Sequence, residues 1–186
     1  FQAAARIEFL EKGFEAACVN NVVRAAGGSL ATLYAQFNNK EGLFLAVAEE
    51  QHEQLVAAMT PPCVAHLSLE DGLQVIGERF LTALISRENL AFYRIVIGEG
   101  RKFPQLLQRY VFAGADRIRN VVAAHLERTA RDIEDADMVA SYFLEAVRSR
   151  HHYRALADDG YTLREEELSE HVSRSVRFFL AGARAL

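Results

Sequence analysis

Cysteine is nearly absent, glycine and proline are sparse, and no apolar run is long enough to span a bilayer. Cys18 and Cys63 have no CxxC partner, so neither a disulfide framework nor a zinc ribbon is supported. Eleven glycines and three prolines in 186 residues argue against a turn-rich β fold and for helices. An excess of basic charge is also missing. The 21 Lys and Arg are outnumbered by 25 Asp and Glu, and the net charge of −4 excludes a molecule that is basic all over. No signal-peptide pattern opens the chain, so a cytoplasmic location with no membrane partner is expected. Phe1 already stands in helical pattern without a Met, and a preceding segment is expected. What is present is apolar mass: 51% hydrophobic residues suffice for a sizeable core, in one large or two small domains.

The apolar residues recur at helical spacing throughout. Phe1, Ala4, Ala5, Phe9 and Leu10 mark a first helix that Gly13 closes. Val19, Val22, Val23 and Ala26 mark a second, ended by Gly27-Gly28. Ser29 is placed to cap a third, which carries Leu33, Tyr34 and Phe37. Asn38 with Glu41 has capping-box spacing for a long fourth helix, which Thr60-Pro61-Pro62 stops. Further stripes follow: Leu73, Ile76, Phe80 and Leu84; Leu90, Tyr93, Val96 and Ile97; Leu107, Tyr110 and Val111, with Gly114 a break before Ile118, Val122 and Leu126. Asp132 to Asp137 give an acidic start to a helix through Met138, Tyr142, Phe143 and Val147. A last helix carries Leu168, Val172, Val176, Phe179 and Ala183. The expected fold is all-α with about nine helices.

The two short helices around Gly27-Gly28-Ser29 have the form of a helix-turn-helix. Leu33 and Phe37, four residues apart, anchor the second helix inward, and its small N-terminal residues permit close approach to a major groove. "GFEAACVNNVVRAAGGSLATLYAQFNNKEGLF" resembles the N-terminal signature of TetR-family transcriptional regulators. The likeness rests on Gly13-Phe14, Ala26-Gly27, Thr32-Leu33-Tyr34, Phe37 and Lys40-Glu41-Gly42-Leu43, all in one register. "FYRIVIGEGRKFPQLLQRYVFAG" is similar to regulatory domains of an AefR-like or AcrR-like branch. The resemblance implies a three-helix helix-turn-helix DNA-binding domain over residues 1–45 and a helical ligand-binding and dimerisation bundle over 46–186. It implies phosphate contacts from Tyr34, Gln36 and Lys40, base-facing positions at Leu30, Ala31 and Thr32, and backbone-flanking positions at Val19 and Asn20, with Asn20 in reach of a base. The chain departs from the family pattern at Ala17-Cys18, which replace a Thr-Ser cap and leave the first amides of helix two without a local side-chain acceptor. Leu30 and Gly28 also depart from it.

Within 1–45 four basic residues (Arg6, Lys12, Arg24, Lys40) face four acidic ones (Glu8, Glu11, Glu15, Glu41), so DNA binding would depend on placement and helix N-termini. In the remainder, Phe80, Leu84, Phe92, Tyr93, Val96, Tyr110 and Phe143 are candidates to line a cavity for an apolar or aromatic effector. Met138, Tyr142, Leu168, Val172, Val176 and Phe179 are candidates for an isologous four-helix homodimer interface. The expected function is a repressor released from a near-palindromic double-stranded operator by a small molecule, with no cofactor, no metal and no enzymatic activity. The alternative is an all-α metal-dependent or hydrolytic enzyme. Glu49 and His52 have the spacing of one half of a carboxylate-bridged di-metal site, but no other His has a Glu three residues before it, and no Gly-x-Ser-x-Gly elbow is present. His151-His152 are expected at a helix surface near its end.

Overall fold

Ser29, Ser68 and Asp135 each stop the preceding loop and start a helix in the same way. Their side-chain oxygens accept from the amides of Thr32, Asp71 and Met138, satisfying donors that the first turn leaves open. The computed structural model describes residues 1–183. Its elements are α1 (Gln2–Ala16), α2 (Val19–Ala26), α3 (Leu30–Phe37), α4 (Lys40–Met59), a 3₁₀ turn (Pro62–His66), α5 (Leu69–Leu84), α6 (Arg87–Glu99), α7 (Pro104–Leu107), a π-helical stretch (Gln108–Ala113), α8 (Gly114–Thr129), α9 (Ala136–Ala157) and α10 (Glu165–Ala183). With the unbroken run from α7 to α8 counted once, nine helices and no strand are present among the described residues.

Two sequence expectations are corrected at element boundaries. Asn38 does not cap α4: it closes α3 at φ 67°, and Asn39 accepts the Gly42 amide through Oδ1 at 2.8 Å. Asparagine tolerates a positive φ better than most residues with a side chain, so the first Asn ends one helix and the second begins the next. Gly114 does not break its helix. It sits at φ −67° and ψ −44°, and its missing Cβ leaves room for the His52 ring.

The described residues pack as two units, Phe1–Glu53 with Ala91–Ala115, and Gln54–Leu90 with the part from Asp116 onward. The first has an aromatic core. Phe44 stacks on Phe92 at 4.7 Å and meets Phe9 and Phe14 edge-on at 5.1 and 5.2 Å. Phe14 meets Phe103 at 4.8 Å, and Phe92 continues to Tyr110. Edge-on and offset contacts of this kind suit the ring quadrupoles. The second unit has an aliphatic core of Leu73, Ile76, Leu81, Val122, Leu126, Val147 and Val172, with Phe143 against Phe179 at 5.3 Å.

Candidate nucleic-acid interface

The turn between α2 and α3 needs a left-handed residue, and Gly27 supplies it at φ 69° and ψ 26°, its amide bonding to the Val23 carbonyl. The Gly28 amide bonds to the same carbonyl at 3.2 Å. Ser29 then starts α3: its Oγ accepts from the Thr32 amide at 3.0 Å and lies 2.8 Å from the Thr32 hydroxyl.

Leu33 is the one buried residue of α3, with no exposed surface. Phe37 is half-buried and meets Phe1 edge-on at 6.4 Å. The other six residues, Leu30, Ala31, Thr32, Tyr34, Ala35 and Gln36, are exposed. Leu30 and Tyr34 are 38% and 41% exposed, large apolar surfaces that the first unit does not cover. A two-turn helix held by one buried leucine has little to do inside the domain and presents most of its surface outward.

Lys40 is half-buried, and its Nζ donates to the Glu15 carbonyl at 2.8 Å while lying 5.2 Å from the centre of the Phe14 ring. An ammonium has three donors, so this tie to α1 fixes the charge in place and leaves donors for an outside acceptor. At α2, Asn20 is exposed and Val19 half-buried. The absence of a local cap before α2 is made good from α1. Glu8 Oε1 accepts from the Cys18 amide and from Asn21 Nδ2, both at 3.0 Å. The Cys18 amide first, then Asn21, hold the Glu8 carboxyl below its ordinary pKa. Sequence reasoning missed this acceptor because it lies ten residues upstream, on another helix.

Residues 2–47 match the family of bacterial regulatory proteins named tetR, and residues 71–182 match the AefR-like transcriptional repressor C-terminal domain. The chain belongs to the TetR family of transcriptional regulators. As a TetR-family member it is a DNA-binding protein. Over 49 residues, 26% of this chain, it is 43% identical to the HTH-type transcriptional repressor ComR of Escherichia coli (strain K12). The matched stretch spans 23% of ComR's length. Among solved structures it resembles the flavonoid-responsive regulator FrrA, with 30% identity, a TM-score of 0.81 and coverage of 97% of this chain and 93% of that one. It also resembles a Mesorhizobium loti MAFF303099 structure assigned to the TetR family, with 25% identity, a TM-score of 0.83 and the same coverage.

The seven residues proposed to line an effector cavity in this TetR-family chain are divided between two cores. Phe92, Tyr93, Val96 and Tyr110 pack in the first unit with Phe9, Phe14 and Phe44. Phe80, Leu84 and Phe143 pack in the second. Burial raises the pKa of the Tyr110 hydroxyl far above its ordinary value.

The expected dimer stripe on α10 is partly an inward stripe. Val172, Val176 and Phe179 are buried in the core of the second unit, against residues of α5 and α9, and Leu168 is half-buried. A spacing of four and three residues marks one helix face without saying which neighbour covers it. The side chain of Ala183 lies outside the described residues. Exposed apolar residues of α9 and α10 include Phe178 at 80%, Tyr142 at 55% and Met138 at 38%. Tyr142 and Phe178 border an apolar hollow of about 530 Å³ floored by Val139, Ala146 and Phe179.

His151 and His152 do not lie on a helix surface: they are 5% and 0% exposed. His152 Nδ1 accepts from Arg148 Nε at 3.1 Å, and burial, with Arg148 nearby, lowers its pKa to about 4. His52, the expected half of a di-metal site, is buried against Tyr110 with ring centres 4.6 Å apart. Among the described residues no cluster of His, Cys, Asp and Glu could hold a metal ion, and no helix is long and apolar enough to cross a membrane.

Proposed function

We propose that the chain is a homodimeric, ligand-released repressor of a near-palindromic operator in the cytoplasm. The observation that carries the reading is α3, which leaves six of its eight residues on the surface and holds on by Leu33. In this reading Leu30, Ala31 and Thr32 face base edges, Tyr34, Gln36 and Lys40 touch phosphates, and Val19 and Asn20 flank the backbone. Phosphate contacts fix position, whereas base contacts discriminate sequence. The helix-turn-helix domain ends near residue 45, and the regulatory domain follows.

The dimer forms through α9 and α10, with Phe178 and Tyr142 joining Met138 and Leu168 at the two-fold axis. An apolar hollow bordered by an 80%-exposed phenylalanine supports this face. Repression is supported by the likeness to AefR-like repressors and to the repressor ComR. An aromatic effector is supported by the likeness to FrrA, which is named for its response to flavonoids. We place that effector among Phe80, Leu84 and Phe143 of the second unit. It releases the operator by binding better to an arrangement that cannot span two half-sites.

The test is a fluorescence-anisotropy titration of a selected operator, repeated with a panel of flavonoids and simpler phenols. Release of DNA by a compound that also raises the melting temperature supports the reading. A panel that stabilises the protein without altering DNA affinity removes ligand release from it.

A further inference from the structure

The last turns of α9, the turn after it and the first half of α10 enclose a polar cleft of about 510 Å³. It is in the size range of small-molecule sites, and the DNA-binding and dimerisation roles proposed above do not use it. Three features set it apart from an ordinary surface groove.

The first is a buried, incompletely bonded side chain. His151 lines the cleft, is 5% exposed, and hydrogen-bonds the Tyr161 hydroxyl through Nδ1 at 2.6 Å. Its Nε2 is buried without a hydrogen-bond partner among the described residues. A buried polar atom left open costs stability and calls for a partner. If the Tyr161 hydroxyl donates to Nδ1, the proton sits on Nε2. The neighbouring ring, His171, offers no help, since its Nε2 is spent on the Val147 carbonyl at 2.8 Å.

The second feature is the charge left over. Two of the three carboxylates lining the cleft are ion-paired, and Asp158 keeps its negative charge. Glu170 pairs with Arg174, Glu167 pairs with Arg164 at 2.7 Å, and Asp158 accepts from the Gly160 amide at 2.9 Å. Arg150 and Arg154, one turn apart on α9, form no ion pair among the described residues; Arg154 lies over the Tyr161 ring at 5.0 Å. The cleft therefore offers two guanidiniums outside any ion pair, that of Arg154 stacked on the Tyr161 ring, beside a buried imidazole.

The third is backbone strain just before the first lining residue, Arg150. Ser149, two residues before His151, has φ 38° and ψ −144° inside α9. Such a conformation is unfavourable for a residue with a side chain and persists where surrounding structure demands it, which is typical of binding sites. After the break His151 and His152 are buried, and Arg150 and Arg154 line the cleft.

We infer that this cleft is a second small-molecule site, taking a flat organic carboxylate whose anionic end pairs with Arg150 and Arg154 and whose body lies along Tyr161 beside His151. The guanidinium fork matches a carboxylate in plane and in spacing. A neutral analogue lacks the charge, and inorganic phosphate lacks the flat body. The site is distinct from the proposed effector cavity around Phe80, Leu84 and Phe143, and its occupancy is read without DNA.

Calorimetric titration of the full chain with benzoate tests the inference, with benzamide and inorganic phosphate as comparisons and imidazole ¹⁵N spectra as a second readout. Saturable benzoate binding is expected at one per chain, with a shift of the His151 ring nitrogens. The double variant Arg150→Gln/Arg154→Gln, altered only at exposed side chains, is expected to bind benzoate at least tenfold more weakly with unchanged helical content. Four results each overturn the inference: no saturable benzoate binding; equal affinity for benzamide; equal affinity for phosphate; or an undiminished benzoate affinity in the double variant.

Discussion

Glu8 on α1 accepts the backbone amide of Cys18 at 3.0 Å, so one short helix of the DNA-reading pair is capped by a side chain from another. The same carboxylate oxygen holds Asn21, which ties the entry to α2 at two points. Replacing Glu8 by Ala is expected to lower the stability of the full chain by on the order of 1 kcal/mol, the ordinary cost of a lost helix cap. Cys18→Ala should change little, because the bond comes from the main chain. Urea unfolding of both variants checks the pair. Equal losses would place the effect in the Cys18 side chain instead.

Lys40 and Leu30 separate positioning from reading. Lys40→Ala is expected to weaken binding to all duplexes alike and to lower the salt slope by about one unit, since about one fewer counterion is released. Leu30→Lys is expected to change the preferred bases, because lysine donates to guanine O6 and N7 where leucine offers only apolar contact, and to raise non-specific affinity. Both effects are read by competition binding at two salt concentrations, with helical content held as a control. Altered preference in Lys40→Ala with none in Leu30→Lys would reverse the docking assumed for α3.

Phe178 and Phe179 are neighbours in sequence with opposite surroundings, 80% and 7% exposed. Phe178→Asp is expected to give folded monomers in sedimentation velocity. Phe179→Ala is expected to lower stability by about 3–5 kcal/mol through the cavity it leaves against Phe143. A Phe178→Asp protein that stays dimeric would move the interface elsewhere.

The buried histidines make the second unit sensitive to acid. With the folded pKa of His152 lowered to about 4 from 6.5, the unfolded chain binds more protons than the native one between those values. Stability is therefore complete above about pH 6.5 and declines as pH falls toward 4, by on the order of 3 kcal/mol from this group. His151 and His125 are shifted in the same direction, chiefly by burial, and add to the slope. Thermal unfolding from pH 7 to pH 4.5 should register the decline, and His152→Leu should flatten it by about one proton. A wild-type melting temperature that holds constant through this range would contradict the burial of these rings.

The helices and their order were legible because apolar spacing, Gly27, Ser29 and Pro61-Pro62 act locally. The outward face of α3 was legible for the same reason: its two inward anchors, Leu33 and Phe37, stand one turn apart. What escaped depends on contacts between distant residues. The cap from Glu8, the tie from Lys40 to the Glu15 carbonyl and the inward turn of His151 and His152 after Ser149 have no local signature. The division of the aromatic candidates between two cores escaped for a related reason. Periodicity identifies a buried face but not its partner, so Phe92 and Tyr110 read as cavity walls although they pack with Phe9, Phe14 and Phe44. The inward stripe of α10 was misread in the same way.

The central claim is that two copies of α3 read two half-sites at once. Selection of bound duplexes from a random pool by the full chain tests it most directly. The expected result is enrichment of an inverted repeat whose half-site centres lie about 34–36 Å apart, one helical turn, or a multiple of it. Enrichment of a single unsymmetrical element, or no enrichment above the starting pool, would contradict it.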